Sequence, residues 1–359
     1  MQNIHTFTPR SSMKQMRISF LLVLALLGIN SMGAVTRSVS GNAILFSGNA
    51  NLELAHKVAE ELGMPLGKAK VACFNDGEIQ IHIDENVRNK DVYLIQPTCP
   101  SASQSINDNV MELFLLIRTM KRADARSITV IAPYYGYARQ DRKLRARSPI
   151  SAADVANMIE QAGATRVVMI DLHCGQIQGF FQNIPCDNLY GSVLFAPYMA
   201  QQDLRNIVVV SPDAGGVERA NQFILELGKK GISSDMAVIS KQREKAGIVG
   251  SMHLIGDVKG ADAIIVDDMC DTGGTLCKAA ELLKEKGARR VFAVITHPVF
   301  SNKALETIGN SVIDEMVIAD TIPLRDKAPA NITVISMASL LADAIACLDK
   351  GESLSALFR

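Results

Sequence analysis

Ile264-Ile265-Val266-Asp267-Asp268-Met269-Cys270-Asp271-Thr272-Gly273-Gly274-Thr275 is the stretch whose reading decides the fold. Three apolar residues read as the end of a buried strand, and two adjacent carboxylates sit where that strand stops. A short loop with a glycine pair follows, and then Leu276, Ala279, Ala280 and Leu283 recur at helical spacing. A strand–loop–helix of this kind aims backbone N–H groups at one point, and the helix N-terminus favours an anion there. Gly273 and Gly274 allow close approach of the backbone to a phosphate, and Thr272 and Thr275 add hydroxyl donors. Asp267 and Asp268 can accept hydrogen bonds from vicinal sugar hydroxyls. Phosphate donors beside hydroxyl acceptors describe a site for ribose 5-phosphate. The bland alternative is an ordinary turn between strand and helix, but such turns rarely stack two acids before T-G-G-T.

From Asn42 onward short β-branched runs alternate with amphipathic segments. The pairs are Ala43–Phe46 then Leu52–Leu62, Ile128–Ile131 then Ala152–Ala162, and Arg166–Ile170 then Val193–Gln201. Ile207–Val210 then Val217–Leu227, Ala263–Val266 then Leu276–Glu285, and Arg290–Ile295 then Lys303–Ile308 continue the series. Asn51 and Ser151 read as N-caps, and Gly287 as a C-cap. Such units predict an α/β chain with parallel sheets covered by helices on both faces. The length calls for two similar domains, 42–190 and 191–359, with the final stretch Met337–Leu348 packing back on the first. In open parallel sheets ligands collect beyond the carboxyl ends of strands. Asp171-Leu172-His173, Ser211-Pro212-Asp213, Asp267-Asp268 and Thr296-His297 all follow strand-like runs, so a site along one edge is expected.

The chain has 359 residues and equal numbers of basic and acidic side chains, 37 of each. No polyelectrolyte partner is implied, and the absence of Trp weakens any case for base stacking on nucleic acid. The seven Cys are scattered without C-x-x-C spacing, which suits a reducing compartment. The N-terminus disagrees. Residues 1–40 contain no acid, and Arg10, Lys14 and Arg17 precede an apolar run from Ile18 to Ile29 with small residues after it. That is the pattern of a secretory signal peptide, and the run is short for a membrane span. Three readings stand: a start assigned too early, with the true one at a position such as Met32; a genuine extension or presequence; or a working signal peptide. A nucleotide site needs ATP, so a cytoplasmic location without stable membrane association is expected.

Five further stretches concentrate chemistry. Phe74-Asn75-Asp76-Gly77-Glu78 offers Asp76 and Glu78 to an exocyclic amine or ribose hydroxyl and Phe74 to a purine face, although alone it reads more readily as a hairpin turn. Pro133–Lys143 gathers aromatics and cations: Arg139 can stack on adenine or pair with phosphate, and Gln140 can read a base edge. Asp171 and His173, two residues apart, can face the same way along an extended backbone, and His173 can ligate a cation or bind phosphate. Asp213, before paired glycines, is a candidate hard-cation ligand. Lys241-Gln242-Arg243-Glu244-Lys245 reads either as a solvated face or as a mobile loop that closes cations over polyphosphate.

Together these stretches resemble the ribose-phosphate pyrophosphokinase family over about residues 42–359. Phe74–Glu78 is similar to its adenine-binding loop, Tyr135–Asp141 to its G-Y-A-R-Q-D element, and Asp257–Phe292 to its C-terminal stretch. Asp171–Phe181 resembles its D-L-H-x-x-Q-I-Q-G-F-F signature, which type I phosphoribosyltransferases lack. The resemblance implies two phosphoribosyltransferase-like domains and diphosphoryl transfer from Mg-ATP to ribose 5-phosphate. It implies that Asp76, Gly77, Glu78, Arg139 and Gln140 bind ATP. His173 and Asp213 would bind magnesium, with Asp171 a secondary candidate. Lys241 would be the catalytic lysine, and Arg243, Asp267, Asp271, Thr272, Gly273, Gly274 and Thr275 would hold ribose 5-phosphate. It also implies a homo-oligomer, commonly a hexamer, with ATP sites shared between subunits. Gln242 stands where the family often has a second basic residue, and Pro100–Ser105 is slightly longer than usual, which leaves regulation open. A phosphoribosyltransferase, an inactive regulatory relative and an exported binding protein are the alternatives at this stage.

Overall fold

The computed structural model describes residues 37–143, 145–245 and 248–358, with the backbone alone described at 241–245 and 248–251. The signal-like run Ile18–Ile29 lies outside the described residues. In chain order the first part comprises β1 (Ala43–Ser47), α1 (Leu52–Leu62), β2 (Ala69–Cys73), β3 (Ile79–Ile83) and β4 (Asp91–Ile95). It continues through α2 (Ile106–Arg122), β5 (Ser127–Ala132), α3 (Ser151–Ala162), β6 (Arg166–Ile170) and β7 (Cys186–Leu189). β1, β4, β5, β6 and β7 form a parallel sheet in the order β1-β4-β5-β6-β7, and β2 and β3 form a separate antiparallel hairpin. Their apolar runs explain the sheet: Leu94, Val130 and Val167 are fully buried against Leu113 and Ile117 of α2 and Ile159 of α3.

α4 (Ser192–Ala200) leads to the second part: β8 (Val208–Ser211), α5 (Val217–Lys229), β9 (Asp235–Lys245), β10 (Ile248–Ile255) and β11 (Asp262–Cys270). α6 (Gly274–Glu285), β12 (Arg290–Pro298), α7 (Ala304–Gly309), β13 (Glu315–Ala319), β14 (Ile332–Ile335) and α8 (Ala338–Lys350) complete it. The strand order is β10-β9-β8-β11-β12-β13-β14, parallel except for β10 against β9. Val210, Ile265, Ala293 and Met316 form its core with Ala280 and Leu283 of α6. A third, smaller cluster draws on both parts: Ala50, Cys99 and Tyr134 pack with Val299 and Ile322. As the sequence predicts, α8 packs back on the first part, against α1, where Arg37 Nε also meets Asp343 Oδ1 at 2.6 Å. No helix among the described residues is long and apolar enough to cross a membrane.

Several local expectations change. Asn51 caps α1 through a bond accepted from the Leu54 amide, but Ser151 is the first helical residue of α3, and its hydroxyl donates to Gln140 Oε1 instead. Gly287 lies one residue beyond the C-cap of α6, with φ 93°. The segment 241–245, read as a loop, is the far end of β9 and pairs with β10, Lys241 opposite Met252. Most consequential, β11 and β12 do not stop at Val266 and Ile295. They stay paired to Cys270 and Pro298, while the pairing of β11 with β8 ends at Ile265 and Val210. The acids therefore lie within a two-stranded extension of the sheet, which holds their backbone rigid.

At the opposite end of β11 Asp262 is fully buried and accepts from the Arg205 amide at 2.8 Å, from Arg290 Nη2 at 3.0 Å and from Arg289. Burial alone would raise its pKa, yet Arg290, the Arg205 amide and Arg289 together hold it below the usual carboxylate range. A carboxyl whose folded pKa is depressed stabilises the fold fully above its unfolded value and loses that contribution as pH falls through the folded one. We expect Asp262→Asn to destabilise the protein by about 2–3 kcal/mol at neutral pH. The difference from wild type should narrow below about pH 4. Thermal melts of both proteins across that range check this.

Candidate active site

The β11–β12 extension projects Asp267 and Asp268 beyond the end of β8. Two adjacent carboxylates so placed need compensation, and it arrives from two directions. Arg219, in the first turn of α5, puts Nη1 3.2 Å from Asp267 Oδ1 and 3.4 Å from Asp268 Oδ1. His173, past the end of β6 in the first part, puts Nδ1 2.8 Å from Asp268 Oδ2. Asp268 is thus held by a cationic or donor group at each oxygen. Burial would raise its pKa, but Arg219 and His173 outweigh burial and keep it ionised. Burial and the neighbouring Asp268 charge push Asp267 above the usual carboxylate range. The bond to Asp268 raises His173.

Asp171 and His173 do not face the same way. Asp171 has φ 41°, so the backbone is not extended there, and its Oδ2 accepts from Thr296 Oγ1 at 2.6 Å and from the Gly191 amide at 3.0 Å. The same junction contains His297, whose Nε2 lies 3.0 Å from the Ile170 carbonyl and 3.2 Å from that of Asp171. Carbonyls only accept, so Nε2 carries the proton. Nδ1 lies 2.9 Å from Thr321 Oγ1, and complete burial lowers the imidazole pKa and keeps the ring neutral. Tyr134 meets the same ring edge-on at 5.0 Å. Asp171 is therefore a tie between the carboxyl edges of β6 and β12, with both lone-pair directions of Oδ2 engaged.

Asp271 begins the loop to α6. Its Oδ2 accepts from Arg139 Nη1 at 2.6 Å, so a side chain assigned to ATP meets one assigned to ribose 5-phosphate. Burial would raise Asp271, but bonds from Ser301 and Arg139 lower it. Gly273, with φ 77°, is required in this turn: a Cβ would also come within 3.2 Å of Ile308. α6, like α3, α4, α5, α7 and α8, begins with no side-chain cap, and its first amide groups adjoin the loop that also carries Thr272, Gly274 and Thr275. Asp213 Oδ1 accepts from the Gly215 and Gly216 amides and stands at the end of β8, beside the acids. The bonds of Asp76, Gly77 and Glu78 stay inside the β2–β3 turn, where Phe74 is half-exposed, so this hairpin is not joined to the cluster. Gln140 is engaged by Ser151. The side chains of Lys241 and Arg243 lie outside the described atoms.

Sequence reasoning passed over Arg219, Thr296 as a partner of Asp171, and the Glu112 network. A signal for Arg219 existed: a cation in the first turn of a helix opposes the helix dipole and calls for a nearby anion. Glu112 is buried with no ion pair among the described residues, accepting from the Asn49 amide at 2.6 Å, Gln96 Nε2 at 2.9 Å and Gln104 Nε2 at 3.0 Å. It braces the loops after β1 and β4 that contribute Ala50 and Cys99 to the shared cluster.

No group of three or more His, Cys, Asp or Glu able to hold a metal occurs among the described residues. Magnesium needs fewer, since it keeps waters and takes phosphate oxygens. His173, with Nδ1 committed to a carboxylate, has the arrangement usual for an imidazole whose other nitrogen meets a metal. The donor set of His173 and Asp213 therefore fits a divalent ion shared with phosphate.

Residues 43–163 match the N-terminal domain of ribose phosphate pyrophosphokinase, and residues 236–359 match the phosphoribosyl synthetase-associated domain. The chain is 50% identical over 314 residues to a ribose-phosphate pyrophosphokinase of Wolinella succinogenes, covering 88% of this chain and 98% of the relative. It is 51% identical over 317 residues to the enzyme of that name from Shewanella oneidensis, with the same coverage of 88% and 98%. The crystal structure of phosphoribosylpyrophosphate synthetase from Mycobacterium smegmatis superposes with a TM-score of 0.79 at 39% identity, over 86% of this chain and 99% of that one. The chain is an enzyme of the ribose-phosphate pyrophosphokinase family.

Proposed function

We propose that this protein transfers the diphosphoryl group of Mg-ATP to ribose 5-phosphate, giving 5-phosphoribosyl 1-diphosphate (PRPP) and AMP for nucleotide biosynthesis. The observation that carries the reading is the meeting of the two carboxyl edges: Arg139 on Asp271 at 2.6 Å and His173 on Asp268 at 2.8 Å. Loops assigned by motif to nucleotide and to sugar phosphate therefore share one junction. The uncapped start of α6 binds the 5-phosphate through Thr272, Gly273, Gly274 and Thr275, and Asp267 accepts from the ribose hydroxyls. Arg243 adds charge to the sugar-phosphate side. Asp76, Gly77, Glu78, Arg139 and Gln140 take the nucleotide. His173 and Asp213 would hold magnesium, which when bound would neutralise phosphate charge.

The anomeric hydroxyl oxygen attacks the β-phosphorus, the bond from it to the α,β-bridging oxygen breaks, AMP leaves with that oxygen, and the hydroxyl proton is released to water. Lys241 stabilises the charge that develops there, so the protein supplies mainly placement and electrostatics. The ATP requirement supports a cytoplasmic site of action. We extend the reading to a homo-oligomer, a hexamer by family resemblance. The half-exposed Phe74 turn supports this, since its contacts leave it free to complete a nucleotide site in a partner.

Purified protein with ATP and magnesium should release AMP only when ribose 5-phosphate is added. AMP release without the pentose, or PRPP consumption in its place, would overturn the reading. Lys241→Ala should lower kcat by about a hundredfold with little change in the far-ultraviolet circular dichroism. Near-normal AMP production by that variant would remove Lys241 from the mechanism.

A further inference from the structure

Arg219 occupies a costly position. It sits in the first turn of α5, where aligned amide dipoles oppose a cation, and its side chain is only 19% exposed. The acids around it come from three elements: Asp267 and Asp268 on β11, Asp171 after β6, and Asp213 in the turn before α5. Its bonds go to the first two, through one nitrogen placed between Asp267 Oδ1 and Asp268 Oδ1.

This placement has a geometric consequence. Asp267 Oδ1 also accepts from the Asp268 amide at 2.9 Å, so Arg219 and the backbone fix that oxygen and leave the other for a sugar hydroxyl. Asp268 meets Arg219 on Oδ1 and His173 on Oδ2. Without the guanidinium, two adjacent buried carboxylates repel and rotate apart, and the hydroxyl acceptor loses its geometry.

We propose that Arg219 is a positioning residue for the pentose phosphate: by bridging Asp267 and Asp268 it fixes the Asp267 carboxylate that receives the ribose hydroxyls. This rests on the ribose 5-phosphate reading of the site. The role is that of a brace, because the guanidinium contacts the protein acids and not the reacting atoms. It predicts a selective effect. Binding of the sugar phosphate suffers, while the nucleotide, held through Arg139, Gln140 and the hairpin turn, is recognised as before.

The test uses the full chain with Arg219→Met and Arg219→Lys. Calorimetry with ribose 5-phosphate alone should show binding weakened about tenfold or more in Arg219→Met, with partial recovery in Arg219→Lys. The KM for ribose 5-phosphate should rise in parallel and the KM for ATP stay within about threefold of wild type. Asp262→Asn serves as a destabilised control, expected to lower Tm and leave ribose 5-phosphate affinity unchanged. Ribose 5-phosphate affinity within about threefold of wild type in folded Arg219→Met would overturn the proposal, as would equal losses for both substrates. If Arg219→Met does not fold, Arg219→Lys decides by the same two readouts. Failure of the wild-type protein to bind ribose 5-phosphate would instead overturn the reading of the site itself.

Discussion

Two adjacent carboxylates, Asp267 and Asp268, impose the constraint that the rest of the structure answers. Side by side on a rigid two-stranded extension, they can stay charged only if cations or donors reach them. One answer comes from within the same half, through Arg219. The other comes from the opposite half, through His173. The carboxyl edge of the first sheet must therefore face that of the second. The neutral, buried His297 reinforces the arrangement by bonding the end of β12 to the backbone at the end of β6, and Asp171 does so by accepting from Thr296. The apolar cluster of Ala50, Cys99, Tyr134, Val299 and Ile322 excludes water beside these bonds.

The juxtaposition has a chemical meaning within the proposed reaction. Sugar hydroxyls and a polyphosphate must be held within bonding distance of each other, and both carry oxygen atoms that repel. The structure opposes a helix start and its loop, suited to phosphate, with carboxylates suited to hydroxyls on the adjoining strand. The Arg139–Asp271 pair links the two substrate loops directly. The contact suits a reaction that needs both ligands present.

Much of the architecture was legible in the chain. Runs such as Arg166–Ile170 and Leu52–Leu62 coincide with β6 and α1 because their periodicity and the Asn51 cap agree with the fold. β4 and α2 were passed over, and α2 opens on the polar Asn107-Asp108-Asn109, whose capping box with Ser105 is visible only once the helix start is known. The reach of β11 to Cys270 was hidden because polar residues in a strand look like its end. Only pairing with β12, a long-range fact, carries the strand on. The same limit applied to Asp171, whose sequence suggested a ligand and whose positive φ turns it into a tie. Arg219 in a first helical turn was a local sign of a nearby anion, but its partners lie about fifty residues away in sequence, so no local pattern could name them.

The most direct test of the account is a crystal structure of the protein with ribose 5-phosphate, magnesium and a non-transferable ATP analogue. The account predicts the 5-phosphate on the backbone amides of Thr272–Thr275, the ribose hydroxyls on Asp267, and the triphosphate on the His173 side of the same junction. A pentose phosphate bound elsewhere, with Asp267–Thr275 empty, would contradict it.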